Sequence, residues 1–269
     1  MVAPIGSNPS ALTSQRGLND TRESQNRLLG QIASGKRIDK AAADAAGSAI
    51  VERFAAQIAG ADRAARNLSD GISLAQTAEG AVSTVQDNTS RIRELTVQAG
   101  NGTLNAGDRQ AIQQEIDALS QSNDDTLRNA NFNGQPLFQG GSLSFQAGAD
   151  AGDQVSVSLG NLASAGIGRV DVSSAASATA ALGQLDDQLG TLSDTRATLG
   201  AVNSRFESAI GQLQSRSENL SAARSRINDT DYAAASTDLA AQNIRAQADV
   251  AVQAQANANS RQVLSLLRA

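Results

Sequence analysis

The chain has 269 residues, 22 of them basic and 27 acidic, for a net charge of −5, and it contains neither cysteine nor histidine. That balance gives no case for nucleic acid or an anionic membrane surface, and the two missing residue types remove Cys nucleophiles, His general bases and most zinc sites. Aromatic residues make up 2% of the chain, with Tyr232 the single tyrosine and Pro4, Pro9 and Pro136 the only prolines, so the composition suits long, thin helices rather than a thick globule.

Residues 1–10 show no basic region followed by an apolar run, so a secretory signal of the usual kind is not expected. No segment reaches the roughly 18 apolar residues of a membrane span. Residues 10–34 carry Leu12, Leu18, Leu28, Leu29 and Ile32 at loose helical spacing, a weak amphipathic helix that is marginal alone in water. The segment Ser34-Gly35-Lys36-Arg37-Ile38-Asp39 reads as a linker.

A second, longer helix is predicted from Asp44 to the Gly100–Gly107 stretch. Its stripe runs through Ile50, Phe54, Ile58, Ala61, Ala65, Leu68, Ile72 and Ala75 and continues in Val82, Val85, Ile92 and Leu95. Gly60, Gly71 and Gly80 lie inside it, each costing about 1 kcal/mol relative to Ala unless a neighbouring element comes close there. A third helix over Ala106–Asn129 carries Ile112, Ile116, Leu119 and Leu127. Residues 131–172 form a small β-hairpin region. Asn133-Gly134 is a tight-turn signal, and Leu143–Gln146 and Val155–Leu159 alternate apolar and polar around the turn Gly148–Asp153.

The C-terminal half holds the strongest pattern. Leu185, Leu192, Leu199, Phe206, Leu213, Leu220 and Ile227 recur at intervals of seven, with a mixed companion row at Leu182, Leu189, Arg196, Asn203, Ile210, Ser217 and Arg224. A helix from Ala178 to Asn228 would be roughly 75 Å long at about 1.5 Å per residue. Its partner is the second helix, with Ile50, Phe54, Leu68 and Ile72 facing the heptad row in a rod core. After a linker at Asn228–Tyr232, residues 236–268 carry Leu239, Ile244, Val250, Val252, Val263, Leu264, Leu266 and Leu267 among many Ala and Gln. The two chain ends therefore form a separate layer, ordered when other subunits supply the burial they lack.

Several blocks resemble bacterial flagellin. These are Ala43–Ile50, Ala65–Gly80, Arg91–Gln98, Phe132-Asn133-Gly134, Leu199–Phe206, Ser217–Ile227 and the ending Val263–Arg268, in family order. The resemblance implies a mainly α fold: long antiparallel helices in a coiled-coil rod with a small β-hairpin element, and terminal helices paired in an inner layer. It implies inner-layer segments at 1–40 and 231–269 and a rod domain at 41–230. Only about forty residues, 132–174, separate the N- and C-terminal helical parts, so this is a minimal form with little or no variable outer domain.

The implied function is that of a structural subunit, not an enzyme, that polymerises into the extracellular flagellar filament after type III export, without cofactor or metal. Implied partners are further copies of itself, the filament cap protein, the hook–filament junction protein and an export chaperone, with neither nucleic acid nor membrane insertion. Assembly contacts are expected at Leu12, Leu28, Ile32, Leu239, Ile244, Val250, Val263, Leu264, Leu266 and Leu267. Arg91, Leu95 and Glu115 match positions that touch a vertebrate Toll-like receptor in recognised flagellins, while Thr89 stands where those members carry Leu; an inter-subunit surface is the other reading of the same residues. A hook–filament junction protein, which shares the terminal helices, is the alternative function, and an intracellular coiled-coil scaffold is a reading from a different class.

Asp124-Asp125 and Asp229-Thr230-Asp231 lack the ligand spacing of a calcium loop and read as solvated or capping carboxylates. The Asn-x-Ser/Thr matches reflect a chain rich in Asn and Ser, and Ser142, Ser156 and Ser173 are weak candidates for O-linked sugar.

Overall fold

The described residues form five helices and two small hairpins: α1 (Pro9–Ser34), α2 (Ala45–Ala99), α3 (Ala106–Asn129), β1 (Asn131–Phe132), β2 (Gln135–Pro136), β3 (Ser142–Gln146), β4 (Gln154–Ser158), α4 (Ala175–Asn228) and α5 (Tyr232–Leu266). The structure, a computed structural model, describes residues 8–266, with side chains described to residue 262. By contact the chain divides into two units, one of residues up to Ala56 and from Asn219 onward, the other Gln57–Glu218. The long helices α2 and α4 contribute to both.

The Gln57–Glu218 unit is organised by two interlocking rows. On α2 the buried positions Ala61, Ala64, Leu68, Gly71, Ala75, Ala78, Val82, Val85, Thr89, Ile92, Thr96 and Ala99 step alternately by three and four, the a/d spacing of a coiled coil. On α4 the buried row is Ala178, Leu185, Leu192, Leu199, Phe206 and Leu213, spaced by seven. The α2 row is mostly small and the α4 row mostly large, so large side chains enter the shallow surface of a neighbour rich in Ala and Gly. Gly71 is the extreme case, since a Cβ there would lie 2.7 Å from Cε2 of Phe206. Gly60 is crowded in the same way by Ala149 of the hairpin turn, whereas Gly80 has open space beside it.

The companion positions Leu182, Leu189, Arg196, Asn203 and Ile210 are half-buried flanks of this seam, and the fully buried companions sit one residue earlier, at Ala181 and Val202. In the terminal unit Leu220 and Ile227 are half-buried. Ile50, expected in the rod core, is 40% exposed, and Phe54 is half-buried. The stripe turns at this end of α2, and Val51 is the buried residue there instead.

Helix α3 begins in a full capping box. The Asn105 side chain accepts from the Asp108 N–H at 2.9 Å, and Asp108 accepts from the Asn105 N–H at 3.0 Å. It buries Ile112, Ile116 and Leu127. Ile112 and Ile116 join Ile92, Leu95, Val170, Val172 and Leu185 in one cluster. A second cluster gathers Leu68, Val82, Leu192, Leu199 and Phe206 with Leu137, Phe138, Val157 and Ile167 from the β region.

The first hairpin turns on Asn133 at φ 50° and Gly134 at φ 78°, the paired left-handed conformations that a two-residue turn demands. The second pairs Leu143 with Val157 and Phe145 with Val155. Phe145 meets Phe206 edge-to-face, ring centroids 5.4 Å apart.

Replacing Gly71 by Ala forces a methyl group into Phe206 and should destabilise the chain by about 1–3 kcal/mol, the range for overpacking a filled site. The paired change Gly71→Ala with Phe206→Leu should recover part of that loss. Thermal unfolding of both variants checks it, and a single variant as stable as the parent would show that the seam has slack at this level.

Candidate assembly surface

The terminal unit is built around α1 and α5. Pro9 opens α1 at a position whose N–H needs no helical partner, Asn8 caps it by accepting from the Ala11 N–H at 3.1 Å, and Gly35 closes it at φ 70°. The two helices run antiparallel, as three side-chain hydrogen bonds show. Thr21 Oγ1 donates to Asp249 at 3.1 Å, Gln25 Nε2 donates to Asn243 at 3.0 Å, and Asn8 Nδ2 donates to the Ala256 carbonyl at 3.0 Å.

Polar contacts dominate because little apolar surface is covered. Within α1 only Leu18 and Thr21 are buried, and among the described side chains of α5 only Ala235 is. Ile244 is 68% exposed, and Leu12, Leu29, Val250 and Val252 are each half exposed or more. Leu28, Ile32 and Leu239 are half-buried. The side chains of Val263, Leu264 and Leu266, and all of Leu267, lie outside the described residues. So large apolar groups that burial would stabilise by about 1.5–3 kcal/mol each face outward along both helices.

A clasp mounts this pair on the long helices. Lys36 and Asp229 form a β-bridge, and the Arg37 N–H donates to the Asn228 carbonyl at 2.6 Å. The Arg37 guanidinium donates twice to the Ile227 carbonyl, at 3.0 and 2.6 Å, satisfying an end carbonyl of α4 with a cation at the negative end of the helix dipole. The same group lies 3.7 Å from Asp44, which caps α2 by accepting from the Gly47 N–H at 2.8 Å. No sequence pattern had singled out Arg37 beyond its place in a linker.

In the Gln57–Glu218 unit, Arg91 and Glu115 are exposed and paired at 3.4 Å, with Glu94 at 2.9 Å from the same guanidinium. Leu95, expected beside them on an outer surface, is 3% exposed and belongs to the core cluster with Ile92, Ile112 and Ile116. It follows Ile92 by three residues, which turns it inward. Thr89 is also fully buried. Its hydroxyl donates to the Val85 carbonyl at 2.7 Å and accepts from Asn123 at 3.3 Å. The three-residue surface therefore reduces to the Arg91–Glu115 pair.

Arg93 and Asp186 tie α2 to α4 across 2.6 Å. The hydrogen bond holds the Asp186 carboxyl below its ordinary range and raises the Arg93 guanidinium, and the neighbouring carboxylates Glu94 and Glu115 raise Arg91 likewise. Among the described residues no cluster of acidic side chains could hold a metal ion, and no helix is long and apolar enough to cross a membrane.

Residues 5–142 match the family model of the bacterial flagellin N-terminal helical region, and residues 182–267 match that of the C-terminal helical region. The chain belongs to the bacterial flagellins. It is 36% identical to a flagellin of Bacillus subtilis (strain 168) over 302 residues, covering 98% of this chain and 99% of that one. It is 37% identical to a flagellin of Halalkalibacterium halodurans over 270 residues, with the same coverage. A crystal structure of Bacillus cereus flagellin aligns at a TM-score of 0.52 and 27% identity, covering 59% of this chain and 94% of that one. Flagellin is a structural protein of the flagellar filament, and the reading as a hook–filament junction protein draws no support from these matches.

The depressed Asp186 pKa makes a pH prediction. A carboxyl held low when folded adds stability above its unfolded pKa, near 3.9, and loses that contribution as pH falls through the folded value. Asp186→Asn should therefore flatten the fall in urea midpoint on acidification from pH 5 downward, with the two chains converging at the acid end. Equal slopes for parent and variant would remove this pair from the acid response.

Proposed function

We propose that this flagellin assembles through the outward apolar faces of α1 and α5, which remain uncovered in the single chain. In this reading, residues 1–40 and 231–269 form the inner layer of an extracellular filament and residues 41–230 form its rod layer. The observation that carries it is the exposure of Leu12, Leu29, Ile244, Val250 and Val252 on two helices that pack on each other yet leave these groups uncovered. Single-chain helices so exposed are marginal, and burial of these groups between neighbouring subunits offsets an association cost of about 4–15 kcal/mol. Folding of the ends is thereby coupled to binding, so the free chain does not polymerise at random.

The sequence adds Val263, Leu264, Leu266 and Leu267 at this end, and an apolar segment of this kind is what an export chaperone would cover before release. A cap protein and a junction protein are the further partners this role requires at the two ends of a filament. The chain acts as structure rather than as a catalyst. An innate-receptor contact at Arg91 and Glu115 would have to work without Leu95, so an inter-subunit role for the Arg91–Glu115 pair is the better reading.

The test is polymerisation of the purified chain on seeds, followed by electron microscopy, beside the variants Ile244→Asp and Val252→Asp. Both sites are exposed, so each change should alter monomer stability by no more than about 0.5 kcal/mol. Both should block filament growth. Filaments growing normally from either variant would remove the α5 face from the assembly contact.

A further inference from the structure

The sequence holds two Asn-Gly pairs, Asn101-Gly102 in an open loop and Asn133-Gly134 in a hairpin turn, and they differ in backbone conformation and in what meets the asparagine side chain. We propose that Asn101 is a self-modifying site, converting spontaneously to aspartate and isoaspartate while Asn133 stays protected. Asn101 lies exposed between α2 and α3, and Gly102 is also exposed, with open space where a Cβ would stand. Among the described residues the Gly102 N–H has no hydrogen-bond partner, so this nitrogen is free to react. The Asn101 side-chain oxygen accepts from the Thr103 N–H at 3.2 Å. That donor polarises the amide carbonyl and sits where negative charge develops on its oxygen when the carbon is attacked.

The chemistry needs only water. The Gly102 nitrogen bonds to Cγ of Asn101, the Cγ–Nδ2 bond breaks, and ammonia leaves with a proton from the attacking N–H. The five-membered imide that results takes up one water. Opening at the side-chain carbonyl gives aspartate, and opening at the former main-chain carbonyl gives isoaspartate, with the chain rerouted through Cβ. One water is consumed, one ammonia is released, and nothing is oxidised.

Asn133 and Gly134 are exposed too, with open space beside Gly134, and what sets Asn133 apart is its backbone and its side-chain oxygen. It is held left-handed at φ 50° in a two-residue turn between paired strands, with Phe132 opposite Gln135. Ring closure there must first open the hairpin, and among the described residues no donor meets its side-chain oxygen.

The products have different consequences. Aspartate adds a negative charge a few residues before the N-terminus of α3, where the helix dipole tolerates it. Isoaspartate lengthens the main chain beside a carbonyl that is in use. The Asn101 carbonyl accepts from Arg109 Nη2 at 3.0 Å, and the same guanidinium also holds the carbonyls of Ala99 at 3.0 Å and Leu104 at 2.9 Å. Rerouting therefore loosens the three-point clamp that fixes the α2–α3 loop.

The experiment incubates the full-length chain at mildly alkaline pH, then digests it. Mass spectrometry reads amide-to-acid conversion at each site, and labelling by an isoaspartyl methyltransferase reads the isoaspartate share. Asn101 should convert at least about tenfold faster than Asn133, the ratio expected when one barrier carries an extra stabilising hydrogen bond. The variant Gly102→Ala has room for its methyl group and should unfold at the parent's temperature, yet should convert about tenfold more slowly because the attacking nitrogen is shielded. Conversion at Asn133 matching or exceeding that at Asn101 would overturn the proposal, as would an unchanged rate in Gly102→Ala.

Discussion

Everything in the Gln57–Glu218 unit depends on how closely α2 and α4 approach. A chain with 2% aromatic residues cannot fill a wide interior, so its core is a seam. Seams are stable only when each large side chain finds a shallow place to enter. The α2 row supplies those places with Ala61, Ala64, Gly71, Ala75, Ala78 and Ala99, and α4 supplies Leu185, Leu192, Leu199 and Phe206 to fill them. An added methyl on the small side or a lost one on the large side changes the spacing locally. The β region then settles on the exposed edge of this seam, through Phe138, Val157 and Phe145 against Phe206.

Where the seam must also hold an irregular segment, it turns polar. The return from β4 to α4 carries Gly168 at φ 89°, where a Cβ would lie 2.5 Å from Ile92. Its carbonyl accepts from Ser120 at 2.6 Å and its N–H donates to Gln188 at 2.8 Å. Gln113 donates to the Val170 carbonyl at 2.9 Å and accepts from the Val172 N–H at 2.8 Å, and Asn123 is held by Asn88 at 2.9 Å. Arg169 pairs with the buried carboxylate of Asp124. A backbone with no strand partner is thus satisfied by side chains from α3 and α4, which buried polar groups require. Asp124, whose sequence context read as a solvated carboxylate, is buried because Arg169 is delivered to it from 45 residues away.

The helices were legible where chemistry is local. The third helix runs over Ala106–Asn129 as expected because Asn105 and Asp108 form a capping box that spacing alone reveals. The second ends at Ala99, before Gly100, and the heptad row of the fourth is plain because Leu and Phe repeat every seven residues. Less legible was the facing row of α2. Large residues draw the eye, and Ile50 and Phe54 were read as core, whereas much of the buried row is Ala, Gly and Thr, which look like filler until a partner helix is laid on them. Leu95 went astray for a related reason: its neighbours in sequence, Arg91 and Glu94, are exposed, and only the position of Ile92 fixes which way it turns. The Arg37 clasp could not be read at all without knowing that two helix ends and a linker converge.

The contrast between the two units follows from the same composition. Small residues serve α2 well because α4 brings Leu and Phe to them. On α5 the half-buried row is mostly polar or small, and Leu12 and Leu29 of α1 are exposed, so the pair covers little large apolar surface. The hydrogen bonds from Thr21, Gln25 and Asn8 align the pair, but each such bond nets only about 0.5–1.5 kcal/mol, too little to hold a 35-residue helix against its conformational entropy. The Arg37 clasp adds a further tie, joining the segment after α1 to the end of α4 and to the start of α2. A subunit built this way has two parts: the seam of α2 and α4 fills its own core, and the thin pair α1–α5 leaves large apolar groups exposed.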